Sequence, residues 1–343
     1  MRTMLLGLAA LTACGHASGR SPLEGAPPAP DQAPAPHRAP AGPAARILDR
    51  PSAHVAAIGT SVFVDGSGPL LISRDRGATF APWAADPALC VRDFVAARGG
   101  GTLYAIAVIC SETDVQTNPD HLFRSTDDGA TWADLGTTGA MLRGVDARDP
   151  RALYADGVCA SAGPCRSDDG GATWHALTVP AASPKYASLQ GSLFVADDGL
   201  YYAPPRDTGY ELFRSRDRGA SWQVALRDPT RGSVAVGAVL DDGTVLGQNL
   251  DGCAFERSVS GGGFTHALEP VECEPGMYVG GRGAVACAVL GDDRIVTSND
   301  HGATWHDVAM PPRGDALRYT CVVDGDRVLV AAGDGLYAAP APW

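Results

Sequence analysis

The sequence predicts an all-β fold: a single closed ring of four-stranded blades, a β-propeller. Three observations predict it. A short Ser-x-Asp-x-Gly motif recurs at roughly 45-residue intervals through most of the chain, the period of a propeller or solenoid. Between its copies, apolar and polar residues alternate as in half-buried strands. The composition is rich in turn formers, with Gly 42 and Pro 26 in 343 residues. Hydrophobic residues at 45% and charged residues at 19% supply enough apolar surface for a core.

The N-terminus reads as an address. Arg2 precedes the short apolar run Met4 to Ala10, which is too short to span a bilayer. Leu11-Thr12-Ala13-Cys14 follows and resembles the bacterial lipobox. That resemblance implies a signal peptide over residues 1–13 and acyl chains on Cys14, which anchor at ~0.8 kcal/mol per buried CH₂. An ordinary secretory signal is the alternative. Gly15 after the cysteine resembles the outer-membrane default, so a lipid-anchored place in the cell envelope is expected. Residues 14–45 carry Pro22, Pro27, Pro28, Pro30, Pro34, Pro36, Pro40 and Pro43 among alanines. Such a run prefers extended polyproline II, ~3.1 Å per residue, and reads as a tether.

Residues 46–343 hold the propeller. Besides Cys14, the nine cysteines leave an even set: Cys90, Cys110, Cys159, Cys165, Cys253, Cys273, Cys287 and Cys321. In an exported chain these are disulfide candidates. Cys159–Cys165 closes a short loop, and Cys90–Cys110 and Cys287–Cys321 join neighbouring segments. No CxxC spacing or nearby histidine suggests zinc, so no metal and no cofactor are expected.

Five full copies of the repeat are Ser73 to Phe80, Ser125 to Trp132, Ser167 to Trp174, Ser215 to Trp222 and Ser298 to Trp305. A degenerate copy spans Ser258 to Thr265. The aspartates Asp75, Asp127, Asp169, Asp217 and Asp300 can accept backbone N–H groups of their own turns. The glycine permits positive φ, and the terminal aromatic fills space between blades. The pattern resembles the Asp-box, or BNR repeat, of sialidase-like and sortilin-like propellers. That resemblance implies one Asp-box per blade, at the hairpin before its last strand, with a structural and not a catalytic role. Six copies account for six blades. Arg318 to Val323, Arg327 to Val330 and Gly335 to Ala338 then need a fourth strand, which Arg46-Ile47-Leu48-Asp49 supplies, giving seven. A six-bladed ring with a loose C-terminal hairpin is the alternative.

Function is less legible. A net charge of -12 argues against nucleic-acid binding. Sialidases carry an Arg-Ile-Pro motif, but Leu48 follows Arg46-Ile47 here, and Tyr210-Glu211 lies on a third strand, far from an axis. There is no Gly-x-Ser-x-Gly elbow or P-loop. Asp197-Asp198-Gly199 and Asp241-Asp242-Gly243 read as hairpin turns rather than Ca²⁺ sites, and His301 and His306 as turn residues. The starts of the inner strands gather His54, Arg92, Arg143, Lys185, Tyr186, Arg231, Tyr278, Arg318 and Tyr319 around one mouth of the channel. Such a basic-aromatic ring on an acidic protein can focus potential on an anionic partner. Ordinary ion pairs with Asp93, Asp146 and Asp149 are the alternative. The expected function is non-catalytic binding of an envelope protein, glycan or other anionic ligand; a divergent glycoside hydrolase or lyase is the alternative. Sortilin and photosystem II assembly-factor-like proteins resemble this pattern and act as binders.

Overall fold

Alternating side chains give each strand one face for each neighbouring blade. The computed structural model describes residues 44–66, 68–83, 89–97, 100–109, 120–159, 163–186, 191–230, 234–249, 254–258, 262–268, 278–290, 294–310 and 318–343. Strand β1 (Ala45–Leu48) comes first. Blade 1 is β2 (Ser52–Ile58), β3 (Ser61–Gly66), β4 (Gly68–Ser73) and β5 (Ala81–Pro82). Blade 2 is β6 (Leu89–Ala96), β7 (Leu103–Ile109), β8 (Asp120–Ser125) and β9 (Ala133–Thr138). Blade 3 is β10 (Met141–Asp146), β11 (Asp149–Asp156), β12 (Pro164–Ser167) and β13 (His175–Ala176). Blade 4 is β14 (Ser192–Ala196), β15 (Gly199–Ala203), β16 (Tyr210–Ser215) and β17 (Gln223–Asp228). Blade 5 is β18 (Val234–Val239), β19 (Val245–Asn249), β20 (Ala254–Ser258) and β21 (Phe264–His266). Blade 6 is β22 (Tyr278–Arg282), β23 (Val285–Val289), β24 (Ile295–Ser298) and β25 (His306–Asp307). Blade 7 is β26 (Arg318–Asp324), β27 (Arg327–Ala332), β28 (Gly335–Pro340) and β1.

The ring is therefore seven-bladed, and the two ends of the described chain share its last blade. Strand β1 pairs antiparallel with β28, Ala45 opposite Ala338. Inner strands follow one another around the axis, and β4 against β6 completes the circuit. At the seam, Thr320 Oγ1 accepts the amide of Val55 at 3.1 Å and donates to Ala53 O at 3.2 Å, tying β26 to β2.

The core is distributed between blades. One cluster joins Phe63, Leu70, Ile72 and Trp83 of blade 1 to Leu103, Ala105 and Phe123 of blade 2. A large apolar side chain buried this way contributes ~1.5–3 kcal/mol, and clusters of this kind fill the other junctions. Disulfides Cys159–Cys165 and Cys287–Cys321 are formed, the second joining β23 to β26 across two blades. Cys110, Cys253 and Cys273 lie outside the described residues, as does the side chain of Cys90. So does everything expected of residues 1–43, Cys14 included. Among the described residues no helix is long and apolar enough to cross a membrane.

Each full repeat folds into the same clip. Ser73 Oγ donates to Asp75 Oδ1 at 2.7 Å and accepts the amide of Gly77 at 2.6 Å. Asp75 accepts the Thr79 amide at 2.9 Å and the Thr79 hydroxyl at 2.6 Å. The pattern repeats at Asp127, Asp169, Asp217 and Asp300. The fourth position is left-handed: Arg76, Asp128, Arg218 and His301 have φ between 56° and 59°. Such backbone costs about 1–2 kcal/mol in a residue with a Cβ. Three of these side chains reach the first hairpin of the preceding blade. Arg76 Nη2 lies 3.1 Å from Asp326 Oδ1, Arg218 Nε 3.2 Å from Asp146 Oδ2, and His301 Nε2 2.7 Å from Asp241 Oδ1. Gly170 takes the position in blade 3, where a Cβ would stand 2.6 Å from Arg124 Nη1.

The clips also set an acid limit. Bonds from Thr or Ser hydroxyls and backbone amides hold the carboxyls of Asp75, Asp127, Asp169 and Asp217 at about 2, below the ordinary 3.8. A depressed carboxyl stabilises the fold above its unfolded value and stops doing so as pH falls through its folded value. Thermal unfolding followed from pH 5 to pH 2 is expected to show Tm falling between about 4 and 2. Asp217→Asn is expected to lower Tm at pH 7 and flatten that dependence; an unchanged profile contradicts the clip's role.

Candidate functional site

Clips join third to fourth strands, so they share a face with the turns between first and second strands. The inner strands begin on the other face. There, pairing slips by one residue between Ser52 and His54, Val91 and Asp93, Leu142 and Gly144, Val236 and Ala238, and Arg318 and Thr320. Each slip is a bulge, which bends the strand and re-aims a side chain. The extra residues in three of them are Arg92, Arg143 and Tyr319, all predicted for the mouth.

A cavity of ≈ 290 Å³ opens at this end of the channel, lined by His54, Asp65, Arg92, Asp93, Tyr278 and Thr320. A second, ≈ 310 Å³, continues between β2 and β6 along His54, Asp65 and Arg92. His54 Nδ1 lies 2.9 and 3.1 Å from the two Asp65 oxygens, and the His54 amide donates to Asp65 Oδ1 at 2.9 Å. The hydrogen bond to Asp65 raises the imidazole above its ordinary 6.5; burial opposes this, and the charges of Asp65 and Asp93 add to it. Arg92 Nε stands 3.3 Å from Asp120 Oδ1. Arg143 Nε donates to Asp156 Oδ2 at 2.6 Å, and Asp156 is buried.

Asp93 links two blades. Its oxygens accept the amides of Phe94 at 2.8 Å and Leu142 at 2.7 Å. Burial raises its carboxyl, and those two amides with the charges of Arg143 and His54 draw it back. Burial also raises the Tyr278 phenol.

The structure thus brings His54, Arg92 and Tyr278 into one cavity, with Arg143 on the adjoining blade. Lys185 and Tyr186 lie in a 3₁₀ turn, Pro184–Tyr186, ahead of β14 and not at an inner-strand start as predicted. Arg318 and Tyr319 are in β26, but their side chains, like that of Tyr186, lie outside what is described; Arg231 lies outside altogether. Of the expected acidic partners, Asp93 is at the mouth, where its charge acts on Arg143 and His54, and the other two need correction. The mouth cations pair with Asp65, Asp120 and Asp156. Asp146 and Asp149 instead hold Arg218 on the clip face. Sequence reasoning missed Asp65, Asp156 and Thr320. An aspartate near the end of a second strand, opposite a first-strand cation, was the available signal, but it is legible only once register is known.

Two other constellations lie apart. Glu211 is ion-paired with Arg206 and Arg227, on the third strand. On the clip face, ligand-type atoms of Asp241, Asp242 and His301 come within 4.8 Å of one another, where His301 serves as the interblade hook.

The chain is a seven-bladed β-propeller with four-stranded antiparallel blades. Comparison with solved structures places it beside "YCF48 bound to D1 peptide", at 14% identity over 89% of this chain and 99% of that one, TM-score 0.58. YCF48 from Cyanidioschyzon merolae aligns at 16% identity over 86% and 96%, TM-score 0.55. A streptogramin B lyase aligns at 11% identity over 85% and 93%, TM-score 0.52. At such identities the likeness is one of fold, which binders and enzymes share. No protein-family profile and no curated protein sequence matches the chain.

The His54–Asp65 pair gives a pH prediction. A raised histidine stabilises fully below its unfolded value and ceases to as pH rises through its folded value. Asp65→Asn is expected to return the His54 titration, read by NMR, toward 6.5 and to remove stability preferentially below that pH. Arg143→Ala leaves the buried Asp156 without that bond, and denaturant unfolding is expected to show a loss of ~1–3 kcal/mol.

Proposed function

We propose that the protein is an exported, lipid-anchored envelope component whose propeller is a non-catalytic binding module. Its channel mouth takes an anionic segment of a partner protein. Cys14 carries the anchor and residues 14–45 hold the propeller off the membrane, a reading that rests on the lipobox-like Leu11 to Cys14 and the Pro/Ala run. The repeats are taken as Asp-boxes, whose aspartates are spent on their own turns.

The observation that carries the binding reading is the state of the mouth's carboxylates. A glycosidase needs two carboxylates poised about 5–10 Å apart toward a substrate. Each oxygen of Asp65 and Asp93 already accepts a bond from His54, Phe94 or Leu142. The groups turned to the opening are instead His54, Arg92 and Tyr278, cationic or aromatic surface suited to carboxylate and flat contact. A propeller of the same fold, YCF48, is recorded with a bound peptide, which supports a protein segment over a free sugar.

Two measurements test this. Immobilised protein is expected to retain an envelope protein from extract, and Arg92→Ala plus Arg143→Ala to lose it. Arg92→Glu is expected to do the same while leaving Asp156 paired. Capture unaffected by both variants, or turnover of chromogenic glycosides by the wild type, sinks the binding reading. Separately, labelled fatty acid is expected to enter the wild-type chain but not Cys14→Ser; equal labelling removes the anchor.

A further inference from the structure

Among the blades that carry the repeat, five have the full copy and blade 5 the degenerate one. Between blades 1 and 2, Trp132 meets Trp83 edge-on, ring centroids 4.8 Å apart. Between blades 2 and 3, Trp174 packs on the cluster around Leu122. Between blades 3 and 4, Trp222 Nε1 donates to Thr178 O at 2.8 Å. Between blades 5 and 6, Trp305 meets Phe255 at 5.0 Å. The degenerate copy belongs to blade 5, and Thr265 stands where the others have an aromatic. Its wedge comes one residue early: Phe264 packs on Tyr210 at 5.5 Å, and Thr265 is exposed. Ser258 turns inward to accept the Val245 amide at 2.8 Å.

Beside β17 lies a cavity of ≈ 720 Å³, lined among others by Arg214, Arg216, Gln223, Val224, Thr244 and Arg257. Two of its arginines are committed. Arg214 is bound to Asp198 and lies over the Tyr201 ring, 5.6 Å from its centroid, and Arg257 Nε donates to His301 O at 2.7 Å. Its acids are committed as well, Asp217 to Ser215 and Ser221, Asp242 to Thr244. Arg216 makes no hydrogen bond or ion pair among the described residues. Its counterpart Arg74 donates to Asp128 O of the next clip at 2.8 Å, and the repeat that follows Arg216 in sequence is the degenerate one.

The wall of this groove is a sheet edge. Strand β17 pairs with β16 and ends its sheet. It is six residues long, whereas β5, β13, β21 and β25 have two or three. The other six-residue outer strand, β9, has Leu135 in the cluster that Trp174 covers. Along β17, Leu226 is buried with Phe264 much as Leu135 packs with Trp174, while Val224 is 48% exposed and faces the groove. An open edge offers a row of backbone donors and acceptors to an added strand.

We infer that this groove binds an extended acidic peptide segment, which adds to β17 as a fifth strand and places a carboxylate on Arg216. Backbone pairing supplies the register, Val224 the apolar contact, and Arg216 the sign of the charge. A sugar chain has no peptide N–H row to match the edge. The site lies on the clip face, opposite the channel mouth, and does not depend on what the mouth binds.

The test uses the full chain and a synthetic octapeptide of alternating Asp and Val, titrated by calorimetry at low salt. Binding is expected, weakened about tenfold or more by Arg216→Glu, a surface change that reverses the local charge. A Lys-Val octapeptide is expected to bind at least about tenfold more weakly. The Asp-Val peptide N-methylated at alternate residues is expected not to bind, since it cannot pair with an edge. No binding of the Asp-Val peptide overturns the inference, as does an affinity unchanged by Arg216→Glu. Equal binding of the N-methylated peptide would reduce the groove to a simple anion site and overturn strand addition. Loss on Arg92→Ala plus Arg143→Ala, with Arg216→Glu unaffected, would move the peptide to the mouth and also overturn it.

Discussion

A four-stranded blade has two apolar faces and can bury neither by itself. Everything else in this protein follows from meeting that constraint by closing a circle. Each face is covered by the next blade, so the core is a set of junction clusters and the seam must be as sound as any other junction. Strand β1 supplies this by completing blade 7 from the opposite end of the described chain. Opening the seam would expose the junction between blades 7 and 1 and two sheet edges at once. The Thr320 bonds to Val55 and Ala53 and the Cys287–Cys321 bridge both lie at or beside this last blade.

Closure fixes where chemistry can sit. Strand direction sends all clips to one face and all inner-strand starts to the other. On the clip face, carboxylates and cations are consumed holding blades together, as Arg218 with Asp146 and Asp149 shows. On the mouth face, bulges turn Arg92 and Arg143 out of the regular pleat. The same residue types therefore do different work according to which end of a strand they occupy.

That division explains what the sequence could reveal. The clips are local: Ser73 to Thr79 contains every atom its hydrogen bonds need, so spacing alone announces blade number and order. The Arg46 to Asp49 segment was legible as a missing fourth strand because three strands after the last repeat had no partner. The mouth is not local. Asp65 and Asp156 meet their cations only across a strand pairing, and Asp93 meets Leu142 only across a blade junction. Lys185 was misplaced because a 3₁₀ turn intervenes before β14, and no repeat marks where an inner strand begins. The groove by β17 was not legible: the degenerate copy from Ser258 to Thr265 carries no mark of it, and only the structure shows the cavity beside that strand.

The pairing of the mouth has a consequence for any anionic guest. Arg92 and Arg143 are held by Asp120 and Asp156, and His54 by Asp65. A guest carboxylate must share or replace those partners, so its gain is the difference between two ion pairs rather than the whole of one. Asp156 and Asp65 are both buried and lose most if Arg143 or His54 leaves them, whereas Asp120 is partly exposed and Arg92 can turn to a guest at lower cost. For such a guest the electrostatics would favour recognition through Arg92, with His54 and Arg143 keeping the channel wall in shape. On the proposed reading, affinity there would come chiefly from contact area around Tyr278 and the cavity walls, and charge would select among partners more than it strengthened any one of them.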